Sequence, residues 1–318
     1  MSNYPSIFND AIGPVMRGPS SSHCGASLRM GRLCRDLMDG QINHILIEFD
    51  PHGSLATTHK SQGSDMGLFG GFLGWEAYDE RLQDSVEYID KAGINIEIEI
   101  VPLTASNHPN TYQLTLTSQT ECRRLVAIST GGGMIEVISI DGAAVSMAGD
   151  YFETLIYCDN PEKVTTYIKS VFEFDSIEWH PGEHSFIEIK AQQFLTDNFC
   201  NELQAFAEVQ RIKKLAPVLP IMARKNLSVP FITCEEMLQY NKEKNLSLWE
   251  LAIAYESERG GISNKEVFDK MRAILNIMEN AIQLGLKGTH YSDRILGSQS
   301  LQLKEQLQKK TVNWGRCQ

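Results

Sequence analysis

The chain has 318 residues, 42% of them apolar and 22% charged, with 29 Lys and Arg against 40 Asp and Glu and a formal net charge of −11. That is the make-up of a globular chain long enough for two or three domains. It contains no clustered cations to grip phosphate and no apolar run of about 18 residues, so it excludes a general nucleic-acid binder and a membrane-spanning helix.

The N-terminal stretch MSNYPSIFNDAIGP lacks the basic start and apolar core of a signal peptide, and the cytoplasm is the expected compartment. The seven cysteines, Cys24, Cys34, Cys122, Cys158, Cys200, Cys234 and Cys317, are widely spaced with no CxxC. Neither a disulfide framework nor a self-contained zinc or iron–sulfur site is expected.

Residues 1–150 mix helices and strands. The loop Gly18-Pro19-Ser20-Ser21-Ser22-His23 precedes an amphipathic helix, with Met30, Leu33, Cys34, Leu37 and Met38 at helical spacing and Gly40 as the stop. HILIEF at 44–49 reads as a strand. Gly67, Gly70, Gly71 and Gly74 punctuate an apolar segment that, if helical, packs close to another backbone. A helix carrying Leu82, Val86 and Ile89 ends at Gly93. Ile94, Ile96, Ile98 and Ile100 then alternate with polar residues, as in a strand with one buried face. Tyr112–Leu116, Leu125–Thr130 and Met134–Ile140 follow across short turns, the spacing of an antiparallel meander.

Residues 151–222 read β-α-β-β-α. Strand 154–158 and helix 161–172 come first. Two strands then flank the turn His180-Pro181-Gly182-Glu183, and a longer helix spans about 197–215. The order resembles the small regulatory ACT module. Residues 226–310 are helical, with capping-box pairs Thr233/Glu236, Ser247/Glu250 and Ser263/Glu266. The last helix aligns Val267, Met271, Ile274, Met278 and Ile282 on a stripe expected to be core. The tail 311–318 has no periodicity. The fold class is therefore α+β: a domain with an antiparallel sheet, a small ACT-like module and a helical C-terminal segment.

Three segments are candidates for chemistry. Ser20, Ser21, Ser22 and His23 stand where a helix begins. The positive end of the helix and its unpaired N–H groups suit a carboxylate or phosphate there, and His23 adds an imidazole, the side-chain type suited to acid–base work. An N-cap with spare serines and an exposed histidine is the alternative. No Lys completes a P-loop. The polar stretch 50–65, including Gln62 and Asp65, is either a site loop or a plain surface loop. Gly131, Gly132 and Gly133 allow positive φ and close approach of a ligand, and serve equally as a hairpin turn. Cys24 beside His23 reads as an inert thiol, and His180 and His184 as turn and surface residues.

Together GPSSSH, the segment Gly53 to Asp65 and TGGGMIEV resemble the β domain of the iron–sulfur-dependent L-serine dehydratases. Residues 248–254, 271–285 and 293–300 resemble the start of that family's α domain. The resemblance implies loss of water and then ammonia from L-serine to give pyruvate. It implies a [4Fe-4S] cluster whose open iron acts as Lewis acid, with no pyridoxal phosphate. It also implies a site with His23 as the catalytic or orienting residue, and Ser20, Ser21, Ser22, Gln62, Asp65 and Gly131–Gly133 binding substrate. The chain departs from the family in two ways. Many members carry Gly-His-Gly-Thr-Asp where Ser61-Gln62-Gly63-Ser64-Asp65 stands here, and an amide cannot replace an imidazole as acid or base. The cluster cysteines of the family lie beyond residue 300, where only Cys317 is found. The cluster of a complete enzyme is therefore expected to find its ligands outside this chain. Its expected form is a truncated frame, a fragment, or a subunit completed by a separate α polypeptide or a homodimer. A non-catalytic regulatory subunit and a lyase for threonine or another β-hydroxy amino acid are the rival readings.

Overall fold

The computed structural model describes residues 4–288 and 297–309, so residues 293–296 of the last resembling segment, the tail 311–318 and Cys317 lie outside it. The described chain falls into two compact units, divided between Ile232 and Thr233. The first is α+β and the second helical.

The first unit opens with a π-helical turn, Ile7–Ala11, then helix α1, Ser21–Leu37. All five apolar positions read from the sequence, Met30, Leu33, Cys34, Leu37 and Met38, are buried. Burying each large side chain stabilises by about 1.5–3 kcal/mol. Gly40, at φ +75°, ends the helix by donating to the Arg35 carbonyl at 2.8 Å. Strand β1 (His44–Phe49), helix α2 (Leu55–Thr58), helix α3 (Ser64–Phe72) and helix α4 (Ser85–Lys91) follow. Next come strands β2 (Asn95–Ile100), β3 (Thr111–Thr117), β4 (Cys122–Gly131), β5 (Met134–Ile140) and β6 (Ala143–Met147).

These strands form one sheet in the order β2-β1-β3-β4-β5-β6. The meander β3 to β6 is antiparallel throughout. β2 instead pairs parallel with β1, Ile45 facing Ile96. Its alternation is real, yet β2 sits on the sheet edge, where Ile96 and Ile98 are only half-buried and Ile100 is exposed. A two-residue period reports an apolar face, not its coverage.

The second sheet has the order β10-β7-β9-β8, all antiparallel. It is built from β7 (Phe152–Cys158), α5 (Glu162–Val171), β8 (Ser176–His180), β9 (Phe186–Ala191), α6 (Asp197–Gln204) and β10 (Val209–Leu215). The expected helix over 197–215 is thus split. α6 stops at Ala205, and VQRIKKL runs on as a strand beside β7, giving βαββαβ. Here β-sheet pairing and a cross-sheet ionic network outweigh helical propensity. Lys213 is buried, with Nζ 2.6 Å from Glu121 and 2.7 Å from Asp39. One face of this sheet packs Ile156, Ile187 and Ile189 against Val164 and Ile168 of α5 and Leu203 of α6. Leu155, Tyr157, Phe186 and Leu215, on the other face, join the core of the first sheet.

The second unit holds α7 (Cys234–Asn241), α8 (Leu248–Gly260), α9 (Asn264–Lys287) and α10 (Ser300–Lys309). All three expected capping boxes are present. The stripe on α9 is not core: Met271, Met278 and Ile282 are exposed and Val267 is buried.

Candidate functional site

Ser20 is the N-cap of α1, in an extended conformation, and the helix begins at Ser21. Its side chain does not cap the helix. The Ser20 hydroxyl instead lies 2.8 Å from Nδ1 of His23, the donor being set by the imidazole tautomer. Ser22 Oγ stands 3.5 Å from Ser20 Oγ. A free helix N-terminus, two hydroxyls and an imidazole therefore share one half-buried corner, while Ser21 is exposed.

Beside this corner lies the loop 59–65. The Ser20 N–H donates to the Gln62 carbonyl at 3.3 Å, and a side chain on Gly63 would strike the Pro19 ring at 2.8 Å. Gly63 has φ +82°, which turns the chain into α3 at the level where α1 starts. The N-termini of α1 and α3 are thus neighbours. Their axes come together because glycines face each other: a Cβ on Gly71 would meet the Gly31 Cα at 2.8 Å and clash with the Leu28 carbonyl. Gly67 similarly abuts the Cys24 carbonyl. The glycine run is the backbone-to-backbone contact its sequence implied.

Asp65, in the first turn of α3, does not point to His23. Both its oxygens hold Nδ1 of His59, at 2.7 and 2.9 Å. The His59 ring sits 5.2 Å from the Phe49 ring. His59 is therefore a carboxylate-oriented imidazole within the polar stretch 50–65. Ser64 takes the buried Tyr112 hydroxyl at 3.1 Å. Gln62 Oε1 is buried and has no hydrogen-bond partner among the described residues. Asp50 serves its own turn: the N–H groups of His52 and Leu103 donate to it, and these bonds hold its carboxyl below the usual range.

The glycine turn after β4 has φ +105°, +61° and +85° at Gly131, Gly132 and Gly133. Gly131 and Gly132 are exposed, with nothing close to where a Cβ would be. Gly133 is buried against Met16, and its carbonyl accepts a hydrogen bond from Arg29 of α1. The turn is thus moored to α1 through Arg29, six residues beyond His23. Arg29 was missed in the sequence. It sits between Leu28 and Met30 within the apolar stretch of the helix, and its burial lowers the guanidinium pKa to about 10.

Cys24 lies in the core behind His23, where burial pushes its thiol up to about 12. It is inert, as read from the sequence. The remaining described cysteines do not gather round one centre: Cys34 lies in the core of the first sheet, Cys158 and Cys200 in the core between the second sheet and its helices, and Cys122 and Cys234 are exposed. A [4Fe-4S] cluster requires several thiolates around one centre. The described residues do not fit one. His180 is a correction to the sequence reading. It is mostly buried and bonds Glu188 at 2.7 Å, whereas His184 does not join it.

The first unit is thus an α+β domain with a polar corner where two helices start. No family model matches the chain. Curated proteins do. The chain is 31% identical over 224 residues to the probable L-serine dehydratase beta chain of Bacillus subtilis (strain 168), which covers 67% of this chain and 99% of that one. It is also 31% identical over 163 residues to the L-serine dehydratase beta chain of Peptoniphilus asaccharolyticus, 51% of this chain and 72% of that one. The chain belongs to the L-serine dehydratase beta-chain family. Among the described residues no helix is long and apolar enough to cross a membrane.

Proposed function

We propose that this chain is the substrate-holding component of an L-serine ammonia-lyase, converting L-serine to pyruvate and ammonia together with a separate α polypeptide. The observation that carries it is the joining of the N-termini of α1 and α3 by the Ser20–Gln62 backbone bond. Two positive helix ends side by side attract a carboxylate. In this reading Ser20, Ser21 and Ser22 donate to the substrate carboxylate, and the Gln62 side chain hydrogen-bonds the substrate. His23, steered by Ser20, holds or moves a proton at Nε2. His59 and Asp65 keep the loop in place, and Gly131 and Gly132 leave room for the ligand beside α1. In this reading the iron–sulfur cluster that supplies Lewis-acid dehydration in such enzymes belongs to the partner polypeptide.

The relatives' designation as beta chains supports the division of labour. A second reading, a regulatory subunit whose βαββαβ module senses an amino acid, is favoured by the scattered thiols. Threonine differs from serine by one methyl group, worth about 1–3 kcal/mol in a pocket, so it is the competitor to test.

The experiment is calorimetric titration of L-serine and L-threonine into the full chain, alone and assembled with the α polypeptide. Saturable L-serine binding that His23→Ala weakens at least about 10-fold, with an unchanged melting temperature, is the expected result. Binding that is indifferent to His23 and to Ser20→Ala removes this corner from the site.

A further inference from the structure

A second polar cluster, unused by the corner at α1, sits on the face of the four-stranded sheet that packs on the first sheet. Glu178 on β8 stands directly opposite Glu188 on β9, and Lys190 on β9 stands opposite Glu153 on β7. Because side chains alternate along a strand, Glu178, His180, Glu188, Lys190 and Glu153 all project from one face. His180 Nε2 is 2.7 Å from Glu188 Oε2. One donor atom from each of Glu178, His180 and Glu188 lies within 4.8 Å of the others.

The independent observation concerns buried oxygens. Glu153 is 2% exposed and Glu188 1%. Both carboxyl oxygens of Glu153, and Oε1 of Glu188, are sealed from solvent without a hydrogen-bond partner. Orphaned buried acceptors are costly and call for an ion, a proton or a water. Lys190 does not settle the matter. Its ammonium is bonded to the Ser146 carbonyl at 2.7 Å and stands 3.4 Å from Glu188 Oε1. Three carboxylates thus face one ammonium and the His180 ring, whose two nitrogens both lie against acceptors, so one negative charge is left over even with that ring protonated, a deficit that a cation makes good. A single proton between Glu153 and Glu188 would still leave one Glu153 oxygen alone.

The groups around the cluster have the form of a ligand shell. The Nδ1–H of His180 donates to the Ala144 carbonyl on β6 at 2.8 Å, which fixes the ring with Nε2 toward Glu188; a bound cation would replace the Nε2 proton that now donates to Glu188. The Ser176 hydroxyl, 3.0 Å from Glu178, steadies the exposed carboxylate at the mouth. We propose that His180, Glu188 and Glu178, backed by Glu153, bind a divalent transition-metal cation of the zinc or manganese type. One imidazole with carboxylates suits those ions. Because Ala144 and Ser146 belong to β6, the cation ties the six-stranded sheet to the βαββαβ module.

The test uses the full chain, stripped with chelator, titrated with Zn2+ against a chromophoric competitor and melted with and without Zn2+. One Zn2+ per chain is expected, with a rise in melting temperature. Affinity should fall about 10- to 100-fold in His180→Gln and in Glu178→Gln. Glu178 is exposed, so its substitution leaves the fold intact and loss there reports ligation. Equal affinity in the wild type and both variants, or no binding above that of a surface histidine, overturns the proposal. In the latter case Glu153 carries a proton instead.

Discussion

The Ser20 N–H donates to the Gln62 carbonyl at 3.3 Å, bringing two polar loops far apart in sequence to one corner. Everything proposed for substrate rests on that meeting. Replacing His23 by Ala removes the only imidazole bonded to the Ser20 hydroxyl among the described residues. In the assembled enzyme, kcat/KM for L-serine should fall about 100- to 10,000-fold, the range of a lost acid or base. The melting temperature should stay put, as His23 is only half-buried. Steady-state pyruvate release and a thermal melt check both.

The glycines between α1 and α3 set the corner's dimensions. In Gly71→Ala the new methyl would press on the Gly31 Cα and the Leu28 carbonyl, backbone atoms that cannot swing away. A loss of about 1–3 kcal/mol in urea unfolding is expected, with weaker L-serine binding as α3 is pushed off α1. A stability equal to wild type would mean the helices are not in backbone contact.

Thiol chemistry separates the cysteines. In the native chain Cys122 and Cys234, which are exposed, should be alkylated quickly, and Cys24 and Cys34 only on unfolding. The Cys24 thiol also links stability to pH. Its folded pKa is raised from 9.0 to about 12. Its contribution is therefore complete below pH 9 and is lost as the pH climbs from there toward 12. A melting temperature that falls on that alkaline limb less steeply in Cys24→Ala is the check.

The Gln62 position tests what the amide costs. Gln62→His restores the residue many relatives of the resembling family carry. It should add an ionisation near neutrality to the pH profile of turnover, leaving the Ser20 bond intact because that bond uses only the Gln62 backbone. A pH profile that does not change would place the Gln62 side chain outside the reacting centre.

Much of the frame was legible in the sequence. HILIEF, the meander, the three capping boxes and the glycine run each encode a local geometry in a few residues, and each appears where its pattern put it. What failed was partnership. The isoleucines of β2 mark an apolar face without saying that it would lie on an edge. The stripe on α9 marks an apolar helix face, but Met271, Met278 and Ile282 are exposed. VQRIKKL became a strand because Glu121 and Asp39, distant in sequence, await Lys213. Of the candidate site, Ser20, His23 and Gln62 come together. Asp65 is turned to His59, and the glycine turn is held by Arg29, a cation that no periodicity distinguishes from its apolar neighbours.

The central claim is that this chain holds substrate and a second polypeptide brings the electrophile. It is tested most directly on the chain purified without oxygen, by measuring iron, acid-labile sulfide and pyruvate release from L-serine, before and after adding the α polypeptide. The account predicts a colourless, sulfide-free and inactive chain that gains turnover only with its partner. A brown chain that releases pyruvate alone would contradict it, and would mean that thiols seen here as scattered assemble a cluster after all.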